Sequence, residues 1–159
     1  MKMSQIIDKL QTQLDAATST LLAAARVYKY DFPTTTDSDS TVWELRLIPL
    51  PSEETADYIG EGGFYVSFTV HIEAQRPCGQ DSAADLAAAC TMAEEILQVL
   101  ADNRSMSISG ETEAAVMASG SGGAKPLKWD YGSKPEGETS MAVVNVTATW
   151  TGPQIAKSA

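Results

Sequence analysis

The stretch FYVSFTVHIEA, Phe64 to Ala74, alternates apolar and polar residues without a break. Phe64, Val66, Phe68, Val70, Ile72 and Ala74 fall on one side, and Tyr65, Ser67, Thr69, His71 and Glu73 on the other. A side-chain period of two belongs to a strand with one face buried and one face wet. A strand of that length needs partners on its margins and a cover over its apolar face, so these residues fix one layer of the fold and demand a second. They also place His71, the single histidine of the chain, on the polar face.

The cover is found in two helical stripes. Ile7, Leu10, Leu14, Ala17, Leu21 and Ala24 recur at spacings of three and four, which predicts a helix from Ser4, its capping residue, to about Ala25. Leu86, Ala89, Cys90, Ala93, Ile96, Leu97 and Leu100 form the second stripe, on a helix capped by Asp81 or Ser82. Between them, Trp43, Leu45 and Leu47 alternate with Val42, Glu44 and Arg46, predicting a strand over Thr41 to Ile48 that Pro49 and Pro51 end. A closing strand, Met141 to Trp150, alternates Val144, Val146, Ala148 and Trp150 against Val143, Asn145, Thr147 and Thr149. A short strand around Ser105 to Gly110 is weaker. The polar run TTTDSDS, residues 34–40, reads as a loop.

This order predicts an α+β protein: a two-layer sandwich in which two helices cover one face of a mostly antiparallel sheet of about four strands. A chain of 159 residues fits a single domain, residues 1–159, and buries about two thirds of its unfolded surface. Residues 110–140 change character. Gly, Ser, Glu and Pro dominate there, which predicts a long flexible or partner-ordered loop. Trp129 and Tyr131 stand in that polar segment, where large aromatics are wasted on water; they are the candidate interface residues.

The composition narrows the chemistry. With 21 acidic and 11 basic side chains the net charge is -10, a field that repels phosphate and argues against wrapping nucleic acid. The opening MKMSQIIDKL lacks the apolar segment of a secretory signal, and no stretch approaches the roughly 18 apolar residues of a membrane span. Cys78 and Cys90 form neither a disulfide framework nor a CxxC pair. Cys90 reads as a small buried hydrophobe, and Cys78 as an accessible thiol in a turn.

Catalytic readings fail one by one. His71 has no cysteine or second histidine with which to share a metal, and a base-and-orienter pair with Glu73 has no pocket to serve. GSGGAK, residues 120–125, is followed by Pro126 and by no helical pattern, so it is not a phosphate loop. Glu53, Glu54, Asp57 and Glu61 lack the ordered ligand positions of a calcium loop. The expectation is no enzyme, no catalytic or metal-binding residue and no cofactor.

The opening helix SQIIDKLQTQL, the long strand FYVSFTVHIEA, the helix DSAADLAAACTMAEEIL directly after it and the final VVNVTATW together resemble the tail-terminator, or tail-completion, proteins of long-tailed bacteriophages. The resemblance is one of pattern and carries over no individual residue. It implies a structural virion protein, present in the host cytoplasm during assembly, that forms a homo-oligomeric ring, typically a hexamer. Such a ring caps the tail tube protein and joins it to the head-tail connector protein, and DNA only passes through its lumen. Two other expectations stand beside it: a head-tail connector or other neck subunit, and a small-ligand or metal binding module built on the polar sheet face and the acidic loop.

Overall fold

The alternating stretch is the middle of a curled, half-barrel sheet in the computed structural model, which describes residues 1–33, 42–50, 57–58, 63–79, 82–117, 127–136 and 139–155. In chain order the elements are α1 (Met3–Asp15), a short 3-10 turn (Leu22–Ala24), β1 (Arg26–Lys29), β2 (Glu44–Leu50), β3 (Asp57–Tyr58), β4 (Gly63–Pro77), α2 (Ser82–Asp102), β5 (Ser105–Met106), β6 (Ala115–Met117), β7 (Leu127–Glu136) and β8 (Thr139–Ile155). The strands run β1-β2-β4-β8-β6-β5, with β3 added on β4 and β7 on β8. β4 and β8 pair antiparallel along their whole overlap, from Gly63 opposite Ile155 to Pro77 opposite Met141. β1 lies parallel to β2.

One face of this sheet carries the core. Leu45 and Leu47 of β2, Val70, Ile72 and Ala74 of β4, and Val144, Val146, Ala148 and Trp150 of β8 are fully buried. Against them lie Ile6, Ile7, Leu10 and Leu14 of α1 and Ala89, Met92, Ala93, Ile96 and Leu100 of α2. The helices divide the work: α1 packs on β1 and β2, and α2 on β8 and β7. The alanines on α2 let its backbone come close to the pleat, while the larger Met92 and Ile96 fill the space between layers.

The expected sandwich of about four antiparallel strands is therefore corrected to a curled mixed sheet with eight strands among the described residues, although the class remains α+β with the helices on one face. Four elements account for the difference. β1 is four residues long and follows the 3-10 turn directly, too short to leave an alternation in the sequence. β3 and β6 are shorter still. β7 falls inside the segment expected to be irregular, and its sequence LKWDYGSKPE shows only a short alternation, Leu127, Trp129 and Tyr131, before Ser133 and Pro135 end the apolar phase and Gly132 and Pro135 suggest a turn. It is a strand because β8, seventeen residues long, offers a margin that continues past β6, and antiparallel pairing through the main chain does not require every side chain to suit it.

The first helix ends at Asp15, ten residues short of the expected end, and starts on Lys2 as N-cap, with Lys2 N donating to Gln5 Oε1 at 2.7 Å. The run Thr18, Ser19, Thr20 lies beyond it, where hydroxyl side chains compete for the backbone and weaken helix. Glu95 of α2 fastens the turn that follows, accepting from Leu21 N with both carboxylate oxygens at 3.0 and 3.1 Å. Pro49 does not end β2. It pairs with Val70 of β4 at a point where β1, which reaches only Leu47, no longer covers the other margin, so a missing N–H is tolerated.

The two long margins of the sheet are finished differently. Beyond β1, α1 packs along the strand, and Gln11 Nε2 donates to Val27 O at 3.0 Å, occupying a carbonyl that would otherwise face outward. Tyr30, with φ 73°, then turns the chain away. β7 has no such finish: among the described strands it pairs with β8 alone.

Candidate interaction site

His71 lies where the alternation puts it, half-buried on the face opposite the helices, and its Nδ1 is 3.2 Å from Thr147 Oγ1. The neighbouring rung is a hydroxyl pair, Thr69 Oγ1 to Thr149 Oγ1 at 3.0 Å. Glu73 does not turn toward the imidazole. Its Oε2 accepts from Arg46 Nη2 at 2.8 Å and Nε at 3.2 Å, and its Oε1 accepts from Lys134 Nζ at 3.2 Å. Arg46 also donates to Asp31 Oδ1 at 2.7 Å and lies over the Phe32 ring, 4.8 Å from its centroid. The charged groups on this face thus tie β2, β4 and β7 together. No three His, Cys, Asp or Glu side chains group for a metal among the described residues.

Burial pushes the Glu73 carboxyl up, but the hydrogen bonds from Arg46 and Lys134 and their positive charges outweigh it and hold the group below the usual carboxylate range. A carboxylate depressed in the folded state stabilises the fold above its unfolded pKa, and that contribution is lost as the pH falls through the folded value. Glu73→Gln is expected to cost about 1–2 kcal/mol at neutral pH, a figure held down because Lys134 is partly exposed. Urea midpoints of the two proteins should differ at neutral pH and converge in acid. A gap that persisted in acid would show that the ion pairs are not its source.

The candidate interface residues emerge on β7. Trp129 stands opposite Val146 and Tyr131 opposite Val144, so both share the face of those buried valines. α2 does not reach far enough to cover them: Trp129 is 48% exposed and Tyr131 38%. Their rings stack, with centroids 5.9 Å apart and planes 15° from parallel. The neighbouring Cys90 thiol pushes the pKa of the Tyr131 phenol up. Leu86, one helical turn before Cys90, is 53% exposed. Two aromatic rings and a leucine therefore extend the core layer past its cover, next to the open margin of β7, a combination that fits a protein partner.

Two features of α2 escape the sequence reading. Leu86, expected in the buried stripe, faces out, while Asp85 is buried. The observed stripe is Asp85, Ala89, Met92, Ala93, Ile96 and Leu100, at spacings of three and four as regular as the expected one. A carboxylate at its first position conceals the frame, and the hydrophobicity of Leu86 points to the wrong one. Cys90 is half-buried at the margin of the helix, and Cys78 is half-buried just after β4, with its N–H donating to Ser140 O at 2.8 Å. Asp57 falls in β3. Asp81, Glu53, Glu54, Glu61 and the GSGGAK segment lie outside the described residues.

No family model matches the chain. No curated protein matches it. Solved structures do: 21 chains are similar, and one of them, a protein of no stated function, superimposes with a TM-score of 0.51 at 13% identity over 99% of this chain and 99% of its own. At that identity the likeness is one of fold, and it extends over the whole arrangement of helices and sheet described above.

Proposed function

We propose that this chain is a structural subunit of the neck of a long-tailed bacteriophage, a tail terminator that assembles with copies of itself into a ring, caps the tail tube and joins it to the head connector. The observation that carries the reading is the stacked Trp129 and Tyr131 pair, exposed on an open sheet margin. A head-to-tail ring needs each subunit to present two different patches, and this pair with Leu86 supplies an apolar one. The order of elements, an opening helix, a long strand leading into a central helix and a long closing strand, agrees with the pattern of the family. The acidic balance of the chain suits a channel that DNA crosses without adhering.

The test is the mass of the purified protein in solution with and without tail tubes, joined to negative-stain images of the tube ends. The expected result is a closed ring of subunits at the end of each tube. A chain that stays monomeric and leaves tube ends bare would overturn the reading.

A further inference from the structure

The start of α2 and the β7–β8 hairpin enclose a cavity of about 500 Å³, whose lining includes Cys78, Ser82, Asp85, Leu86, Ser133 and Ser140. Asp85 is its unusual member. The residue is 7% exposed, so its carboxylate is withdrawn from bulk water. Oδ1 accepts from Arg76 Nη2 at 3.1 Å, whereas Oδ2 is buried without a hydrogen-bond partner among the described residues. A buried carboxylate oxygen in that condition is costly, and a group kept at such a cost calls for a donor.

The charge around the cavity has a definite sign. Arg76 does not devote itself to Asp85, since its guanidinium also lies over the Trp43 ring, 5.5 Å from the centroid. Cys78 feels the balance: burial pushes its thiol up, Asp85 pushes it further, and the opposing influence of Arg76 is the smallest of the three. Among the described residues that line the cavity Asp85 is the one charged group, and Arg76, its ion-pair partner, is not part of the lining, so in a chain that is itself acidic the cavity favours cations. Its walls match a long basic side chain. Leu86 offers an apolar surface for the stem, and the hydroxyls of Ser82, Ser133 and Ser140 offer acceptors around the head.

We propose that this cavity receives a basic side chain, a guanidinium above all, carried by a protein partner and donating to Asp85 Oδ2. A guanidinium has five donors in a fixed fork, enough to serve a carboxylate and neighbouring hydroxyls together, which an ammonium does less well. The side chain enters past Leu86, next to Cys90 and the Tyr131 and Trp129 rings, so the cavity and the aromatic pair form one recognition surface: a basic anchor beside an apolar one. This deepens the neck-subunit reading and depends on it for the identity of the neighbour, not for the chemistry of the site.

The experiment titrates the isotope-labelled full chain with N-acetyl-arginine amide and with N-acetyl-citrulline amide, which keeps the shape and loses the charge. Saturable shifts are expected at the amides of Ser82, Asp85, Leu86, Ser133 and Ser140, with citrulline weaker by about tenfold or more. Asp85→Asn should lose the response. Because that substitution also deprives Arg76 of its carboxylate, Ser133→Trp serves as the second variant; it fills the cavity from β7, leaves the Asp85–Arg76 pair in place and should lose the response as well. Equal shifts with arginine and citrulline, or shifts that survive both substitutions, would overturn the site. Arginine binding by a chain that never forms rings would instead sink the neck reading alone, and rings whose cavity ignores arginine would sink the cavity alone.

Discussion

Replacing Trp129 and Tyr131 together by alanine is expected to leave the monomer folded and to abolish both self-association and binding to tube ends. Both rings are exposed and neither fills a cavity in its own subunit, so the fold loses the ring stacking and the contact with Cys90, an effect of about 1 kcal/mol. A partner loses much more. Aromatic anchors at the centre of an interface cost at least about 2 kcal/mol each when truncated, so the double substitution should weaken association by about a thousandfold. Sedimentation velocity reads the association and a urea midpoint reads the fold. Unchanged assembly would remove these residues from the interface, and a collapsed midpoint would show that they serve the monomer instead.

The opposite profile is expected of Trp150→Ala. Trp150 is fully buried, pairs with Phe68 of β4 on one side and Met117 of β6 on the other, and so holds the sheet where its strands change partners. Removing it takes out a large apolar side chain and leaves a cavity that the flanking strands cannot close without losing their register. The cost is about 3–5 kcal/mol, a large part of the stability of an ordinary domain. The urea midpoint should fall accordingly, and the soluble yield with it. A loss below about 1 kcal/mol would mean that the two layers are not held together at this point.

The sequence carried the core of this fold in its periods and concealed the margins. Val70, Ile72 and Ala74 announce β4, and Val144, Val146 and Ala148 announce β8, because each sits in a strand with one face fully covered. β1 left no such trace, and β7 left only the short alternation of Leu127, Trp129 and Tyr131. A strand at the end of a sheet is shaped by the neighbour it pairs with, and its side chains need not alternate when only part of its face is covered. The same cause governs the site. Trp129 and Tyr131 stood out as aromatics in polar surroundings, but their stacking and their place beside α2 depend on pairing with β8, which residues 127–136 do not declare. Asp85 was hidden by its chemistry: a carboxylate at a core position counts against the helical frame that contains it.

The contrast between the β1 and β7 borders of the sheet bears on what this chain does at high concentration. Runaway stacking of copies through their backbones, the route to fibres, requires a free border at both ends of every copy, so that each arrival renews the template. Here Gln11 and α1 stopper the β1 border, while β7 stays available. Between these two borders strand addition can take place once, on β7, and does not continue on the β1 side, so crowding should yield β7-to-β7 pairs in place of filaments built through them.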